Sequence, residues 1–426
     1  MDWALASVAV ALLAYAAVSG RISGTPLTAP MVFTACGLLF GTEVLGFIDL
    51  SPLGDDVQTL AEATLAVVLF SDASRIDLRA LRGEAAVPAR LLGIGLPLTI
   101  VLGFVLALPL FGDLGWAEAL LLAVILAPTD AALGQAVVML PRLPSRVRQS
   151  LNVESGLNDG ICVPLFLVVL AVASVESDRL GAASALRVVA EQIGYGALAG
   201  AIGGAAGAAA LIVAGRAAHA ESDWLEIVPF AAAALAWGIA HPIGGSGFIA
   251  AFVGGVAFQA LRRDAVGEVG HLIEETGEIL GAVTFVVFGA VLLGPALGHL
   301  TFAVGLYALL SLTVIRMAPV AAALVGTGMR RQTVSFLGWF GPRGLASIVF
   351  ALMLEEDGGV THAEQVMTAV FVTVGLSVLL HGLTAAPLAE RYAGWFATQR
   401  AKVEPSAEAR PAPEIRWRRQ LGARRA

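Results

Sequence analysis

The stretch VILAPTDAALGQ, residues 124–135, decides how this chain is read. It sits in an apolar run covering about 115–140, and it places Asp130 roughly in the middle of that run. Pro128, two residues earlier, lacks a backbone N–H and cannot continue a helical hydrogen-bond ladder. An interrupted helix frees carbonyl groups and exposes a half-helix end, and at membrane depth such a break builds a small polar site. Thr129 adds a hydroxyl at the same point.

The remainder of the chain supports a membrane setting for this run. Of 426 residues, 58% are hydrophobic and only 14% charged, against about 25% charged in soluble domains. A helix needs about 20 apolar residues to cross the hydrocarbon core. Spans fall at about 3–19, 26–42, 57–73, 87–111, 115–140, 146–175 and 185–215, then at 225–240, 244–261, 272–294, 299–328, 332–354 and 364–388. The predicted fold is an all-α polytopic membrane protein with about 13 transmembrane helices and nearly no extramembrane domain. Met1-Asp2 offers no positive n-region, so the first apolar run is expected to be a span. The net charge of -7 excludes the basic footprint of a nucleic-acid binder. Cys36 and Cys162 both lie in apolar runs and supply neither a disulfide framework nor a Cys-rich metal site.

Short cytoplasmic loops collect Lys and Arg, and the arginines alternate between loops as thirteen spans require. Arg21, Arg75, Arg79, Arg82, Arg90, Arg142, Arg146, Arg148, Arg216, Arg262, Arg263, Arg330 and Arg331 fall on one side together with the basic residues after 390, which puts 22 of the 26 Lys and Arg there. Arg179 and Arg187 fall on the other. The N-terminus is thus expected outside and the C-terminus in the cytoplasm, with 391–426 as a basic, disordered tail. Two arginines, Arg316 and Arg343, remain within spans.

The sixth span reads LNVESGLNDGICVPLF, residues 151–166, with four polar groups in six residues. Glu154 and Asn158 share one helix face; Ser155 and Asp159 share the next. The short loop between spans five and six makes them antiparallel neighbours, so Asp130 and Asp159 should face one another across a polar gap. An uncompensated buried charge is expensive, which pairs Glu154 with Arg316 or Arg343. Asp159 is then the best candidate for a titrating, ion-binding group, because a desolvated aspartate beside another acid can hold either a proton or a cation.

The twelfth span reads FLGWFGPRGLASIVFAL, residues 336–352, and Gly341-Pro342 breaks it beside Arg343. Spans five and twelve are seven apart and run in opposite directions. Two broken helices of opposite topology point to inverted six-helix repeats whose broken helices cross at the site. Arg343 either offsets the partial negative charge of half-helix C-termini or makes a structural salt bridge. The six histidines, His381 among them, are scattered singly and at most modulate a pH response. Glu62 and Asp72 read as loop-proximal or snorkelling acids; Glu274, Glu275 and Glu278 read as a solvated helix start. The small-residue run GAIGGAAGAAA at 200–210 reads as a close helix contact.

Taken together, PTDAALGQ, NVESGLNDG and GWFGPRGLAS resemble the NhaP-type branch of the monovalent cation/proton antiporters, the sodium/proton exchanger branch, through span thirteen. The resemblance implies two inverted repeats, about 3–175 and 225–388, joined by a linker helix at 185–215 within a 1–390 transporter domain. It further implies a homodimer in the inner membrane and alternating-access exchange of Na+, Li+ or K+ for H+. It makes Asp159 the ion- and proton-binding carboxylate, with Asp130, Thr129 and Ser155 completing the Na+ site. Asn158 stands where electrogenic relatives carry a second aspartate. Ala131 departs from the proline that many relatives have. No cofactor is implied, since Na+ and H+ are cargo. With Asn158 unable to titrate and Glu154 tied to an arginine, exchange is expected to be electroneutral. The rival readings are a K+/H+ antiporter of the same fold, a passive cation channel and an intramembrane aspartyl protease. The last is disfavoured because Asp159 lies in LNDG, not in the GxGD that such proteases carry.

Overall fold

A computed structural model of the chain describes residues 2–22, 25–51, 54–75, 86–130, 133–134, 137, 140–177, 182–217, 222–262, 269–356, 359–400 and 408. Arg79, Arg82, Arg179, Arg263, Ala131 and nearly all of the tail beyond Arg400 lie outside them. Among the described residues the regular structure is helical, with one isolated bridge between Gly41 and Ile48.

The helices are α1 (Asp2–Ile22), α2 (Ala29–Phe40), α3 (Asp55–Ala73), α4 (Ala86–Leu110), α5 (Trp116–Ile125), α6 (Ser145–Ser177) and α7 (Ala182–Ala217). The second series is α8 (Ile227–Ala240), α9 (Gly247–Arg262), α10 (His271–Gly298), α11 (Phe302–Ala323), α12 (Arg331–Trp339), α13 (Leu345–Glu356) and α14 (Ala363–Arg400). Each of the thirteen expected spans corresponds to one of these helices, except that the twelfth is divided into α12 and α13. Among the described residues, seven helices are long and apolar enough to cross a bilayer, and further shorter apolar helices accompany them. The separation of α8 from α9 is real: a single turn at His241–Ile243 ends at Gly244, whose φ of +75° is a left-handed conformation suited to glycine.

Small residues set the closest helix contacts. Gly203 and Gly207 of α7 pass against Ala236 and Ala232 of α8, and Gly200 and Gly204 pass against Ala250 and Gly254 of α9. These are the glycines of the 200–210 run, and their packing lets backbones approach where apolar side chains gain nothing over lipid. Around the prospective site the packing is aromatic. Phe166 of α6 stacks on Phe350 of α13 with ring centroids 4.7 Å apart and planes within 7°.

Three local features bear on the sequence reading. The helix of span five stops at Ile125, within three residues of the expected break, because Pro128 cannot donate into the next turn. Wider π turns interrupt α4 at Leu91–Gly95 and α10 at Phe288–Leu293, each immediately ahead of a proline, Pro97 and Pro295, whose absent N–H breaks the regular ladder. Finally, α14 continues to Arg400 and so takes in the first ten residues of the expected tail. Tyr392 and Ala393 are buried there in a separate apolar cluster that includes Leu143, Leu324 and Phe336, and Phe396 is buried beside Tyr392. Their helical spacing holds the extension to the bundle.

Candidate functional site

Breaking α5 leaves backbone groups that must find partners inside the protein, since lipid offers none. The structure accounts for them one by one. The carbonyl of Ile125 accepts from Ser347 Oγ of α13 at 2.7 Å. Those of Ala127 and Pro128 accept from Arg343 Nη1 at 2.7 and 3.1 Å. The carbonyl of Thr129 accepts from Ser155 Oγ. Thr129 Oγ1 accepts from Asn158 Nδ2 at 2.7 Å. The N–H of Asp130 donates to the carbonyl of Pro342 at 2.8 Å, so the two chain breaks touch backbone to backbone.

Asp130 also serves the other broken helix. Its Oδ2 accepts from the N–H of Leu345, the first residue of α13, at 3.0 Å. A carboxylate there satisfies one of the orphan donors of the helix start and suits the positive end of its dipole. The expectation that Asp130 and Asp159 simply face one another across a gap is therefore incomplete, because one oxygen of Asp130 is spent on Leu345. Asp130 still lies close enough for its charge to act on Asp159, as does Asp72 at the end of α3.

The two intramembrane arginines divide their work. Arg316 grips Glu154 with two nearly parallel hydrogen bonds, Nη1 to Oε1 at 2.5 Å and Nη2 to Oε2 at 2.9 Å, and both side chains are 4% exposed. Arg343, fully buried, spends its Nη1 on the carbonyls that follow α5. Of the two roles left open for it, offsetting the negative end of a half-helix is the one its contacts express.

On α6 the polar groups do not divide along the two faces read from the spacing, because Asn158 leaves Glu154 and joins Ser155. Glu154 turns to Arg316, while Ser155 and Asn158 turn to Thr129. Asp159 is 8% exposed, and its Oδ1 is buried without a hydrogen-bond partner among the described residues. Asn158 Oδ1 is in the same condition, its amide having been given to Thr129. Two adjacent residues thus hold buried oxygen acceptors in want of a donor, and either a proton or a hard cation would satisfy that want.

Sequence reasoning missed Ser347 and Ser377, which serve backbone groups at the breaks. Outside the site, Glu274 forms an ion pair with Arg75 at 2.5 Å and is not merely a solvated helix start. Glu62 accepts from Gln58 at 2.9 Å within α3.

Gly344 offers a sharp check of this geometry. A Cβ there would fall 2.6 Å from both Cβ and Cγ of Asp130. Gly344→Ala must therefore push Asp130 off Leu345, and we expect the melting temperature of the purified protein to fall while it still reaches the membrane. An unchanged melting temperature would show that the contact between the two breaks is dispensable.

A helical membrane protein whose two interrupted helices meet over buried acids defines a class of ion-handling transporter folds. This chain belongs to the sodium/hydrogen exchanger transmembrane family, which it matches over residues 8–391. It is 27% identical over 376 residues to the "K(+)/H(+) antiporter NhaP" of Alkalimonas amylolytica, covering 87% of this chain and 63% of that protein. It is 26% identical over 374 residues to the "Na(+)/H(+) antiporter NhaP" of Pseudomonas aeruginosa, covering 83% of this chain and 84% of that one. The sodium proton antiporter MjNhaP1 of Methanocaldococcus jannaschii, solved at pH 8, shares the fold with a TM-score of 0.73 at 20% identity, over 92% of this chain and 99% of that one. The chain spans 63% and 62% of the lengths of the first two curated relatives it matches.

Proposed function

We propose that this protein is a secondary antiporter exchanging a monovalent cation for H+ by alternating access, with Na+ as the leading cation and K+ as the second reading. The observation that carries the proposal is the buried Oδ1 of Asp159, without a hydrogen-bond partner, beside Asn158 Oδ1 and within electrostatic reach of Asp130. A group in that position is stable when protonated or when coordinated by a cation, and exchange follows if the two occupancies exclude one another. Thr129 and Ser155 stand as neutral oxygen ligands, and Glu154 with Arg316 stands as structure. K+ is kept because relatives named as K(+)/H(+) antiporters match as well as those named for Na+. The arginine distribution supports an N-terminus outside and a C-terminus in the cytoplasm, in a cell membrane. The α7 helix is proposed to link the two repeats, and a homodimer is the proposed assembly.

Proteoliposomes holding a pH gradient test the reading directly. Adding Na+, Li+ or K+ should collapse the gradient, and the order of effectiveness reports the preferred cation. A gradient untouched by all three would refute antiport. Because one carboxylate is shared, apparent cation affinity should weaken as pH falls.

The stoichiometry is a further expected result. Asn158 cannot titrate, Glu154 is held by Arg316, and Asp130 is assigned one charge state through the cycle. One H+ then leaves for each cation bound, and exchange moves no net charge. A steady-state current on a supported membrane, or a rate that changes steeply with clamped voltage, would show that a second group titrates.

A further inference from the structure

The break between α12 and α13 has two ends, and both are tied to α14. Trp339 is the last residue of α12, and its carbonyl, which has lost its i+4 partner and accepts from the Gly341 N–H at 2.9 Å, also lies 2.9 Å from Nε2 of His381. Arg343 lies just before α13, and its N–H donates to Ser377 Oγ at 2.7 Å. Ser377 and His381 are one helical turn apart on α14, and Ser377 Oγ lies 3.2 Å from His381 Nδ1. Nδ1 is also 3.1 Å from the Ser377 carbonyl. Ser377 and His381 are both buried, and the imidazole lies against the Trp339 indole with centroids 5.2 Å apart.

The donors and acceptors order themselves in one direction. Both ring nitrogens face carbonyls; the neutral ring's single proton is assigned to Nε2, whose carbonyl contact is the shorter at 2.9 against 3.1 Å, so Nε2–H donates to Trp339 and Nδ1 is left to accept. Ser377 Oγ receives the Arg343 N–H on a lone pair and gives its own proton to Nδ1. The result is a continuous relay: Arg343 N–H to Ser377, Ser377 to His381, His381 to Trp339. It closes the gap in span twelve through α14, bridging residues 340–344 between α12 and α13.

We propose that His381 is a positioning residue of the exchange site, acting through Ser377 and Trp339 on residues 340–343 and through them on Asp130. The mechanical link is short. Pro342, inside the clamped segment, accepts the N–H of Asp130, and Arg343 covers the carbonyls of Ala127 and Pro128. Any slackening of the segment moves the backbone that carries Thr129 and Asp130. This role rests on the antiport reading above, and it touches no cation itself.

The test is the kinetics of Na+-dependent and Li+-dependent proton flux in proteoliposomes for His381→Phe, Ser377→Ala, the double variant and His381→Gln. His381→Phe keeps a ring against Trp339 and removes both ring nitrogens; Ser377→Ala removes one oxygen and keeps the imidazole. Each should raise the apparent cation KM by about tenfold, the scale of one intramolecular hydrogen bond, with the maximal rate within about twofold. The double variant should be no worse than the weaker single one, since both cut the same relay. His381→Gln retains an amide donor for the Trp339 carbonyl and should recover most of the affinity. Lowered thermal stability with an unchanged KM in both single variants would make the relay purely structural and overturn the proposal. Multiplying effects in the double variant would also overturn it, by showing two separate routes. If His381→Phe does not accumulate, Ser377→Ala carries the same test. Wild-type vesicles without cation-driven flux would refute the antiport reading and this role with it, whereas wild-type flux with an unmoved KM in the variants would refute the role alone.

Discussion

Asp159→Asn should leave a protein that inserts, folds and carries no cation-dependent proton flux. The side chain is nearly isosteric, and residue 159 already sits in an environment that must accept a neutral group for half of the proposed cycle. What the substitution removes is the ability to alternate. An amide oxygen can coordinate a cation weakly, but it has no proton to exchange for it, so coupling is lost and not merely slowed. The prediction is sharpened by Asn158, which already presents a buried amide oxygen one residue away; a second amide cannot supply what the first lacks. The measurement is gradient collapse in proteoliposomes, alongside the yield and thermal stability of the purified variant. Flux above half of the wild-type value would remove Asp159 from the centre of the site and leave Asp130 as the carboxylate to be tested.

The broken helices were legible because their signals are rare in apolar runs. Pro128 ahead of Asp130, and Gly341-Pro342 ahead of Arg343, each place a helix breaker and an ionisable group where membrane helices ordinarily carry neither. The choice between Arg316 and Arg343 as partner of Glu154 was not legible, because both are buried arginines on distant spans and only the fold decides which meets α6. Serines were opaque for a different reason. Within helices their hydroxyls, like those of threonine, commonly return to a carbonyl one turn back, as Thr64, Thr99, Ser150 and Thr373 do here. Nothing in the sequence separates these from Ser347 or Ser377, which reach across to the two chain breaks, whereas Ser155 was marked by its place one turn before Asp159. His381 was set aside for lacking metal-ligand spacing, a fair test of a metal site but blind to a ring placed opposite the carbonyl that ends α12. The α14 extension past residue 390 was hidden by the basic and proline-rich composition that follows it, although Tyr392, Trp395 and Phe396 carried the helical spacing.

Glu154→Gln should destabilise the protein by far more than Asp159→Asn does. Glu154 and Arg316 are both buried and are joined by two hydrogen bonds across 162 residues of chain. Glutamine can accept only one of those bonds and brings no charge, which strands the guanidinium of Arg316 in an apolar interior. Removing one partner of a buried pair typically costs about 3 to 5 kcal/mol, most of it the penalty of the charge left behind. Arg316 also borders the break in span twelve: a Cβ on Gly341 would come within 2.7 Å of its Cζ, so a displaced guanidinium disturbs the backbone that holds Asp130. Thermal unfolding of the detergent-solubilised variants, with their yield in membranes, is the measurement. Removing both charges together separates pairing from position: Glu154→Leu combined with Arg316→Leu should recover a substantial part of the loss, because no buried charge then lacks compensation. Equal melting temperatures for Glu154→Gln and Asp159→Asn would sink the structural assignment, since a carboxylate that can be neutralised at no cost in stability is one that the protein neutralises in its own working cycle, and Glu154 would then belong with Asp159 among the groups that carry the proton.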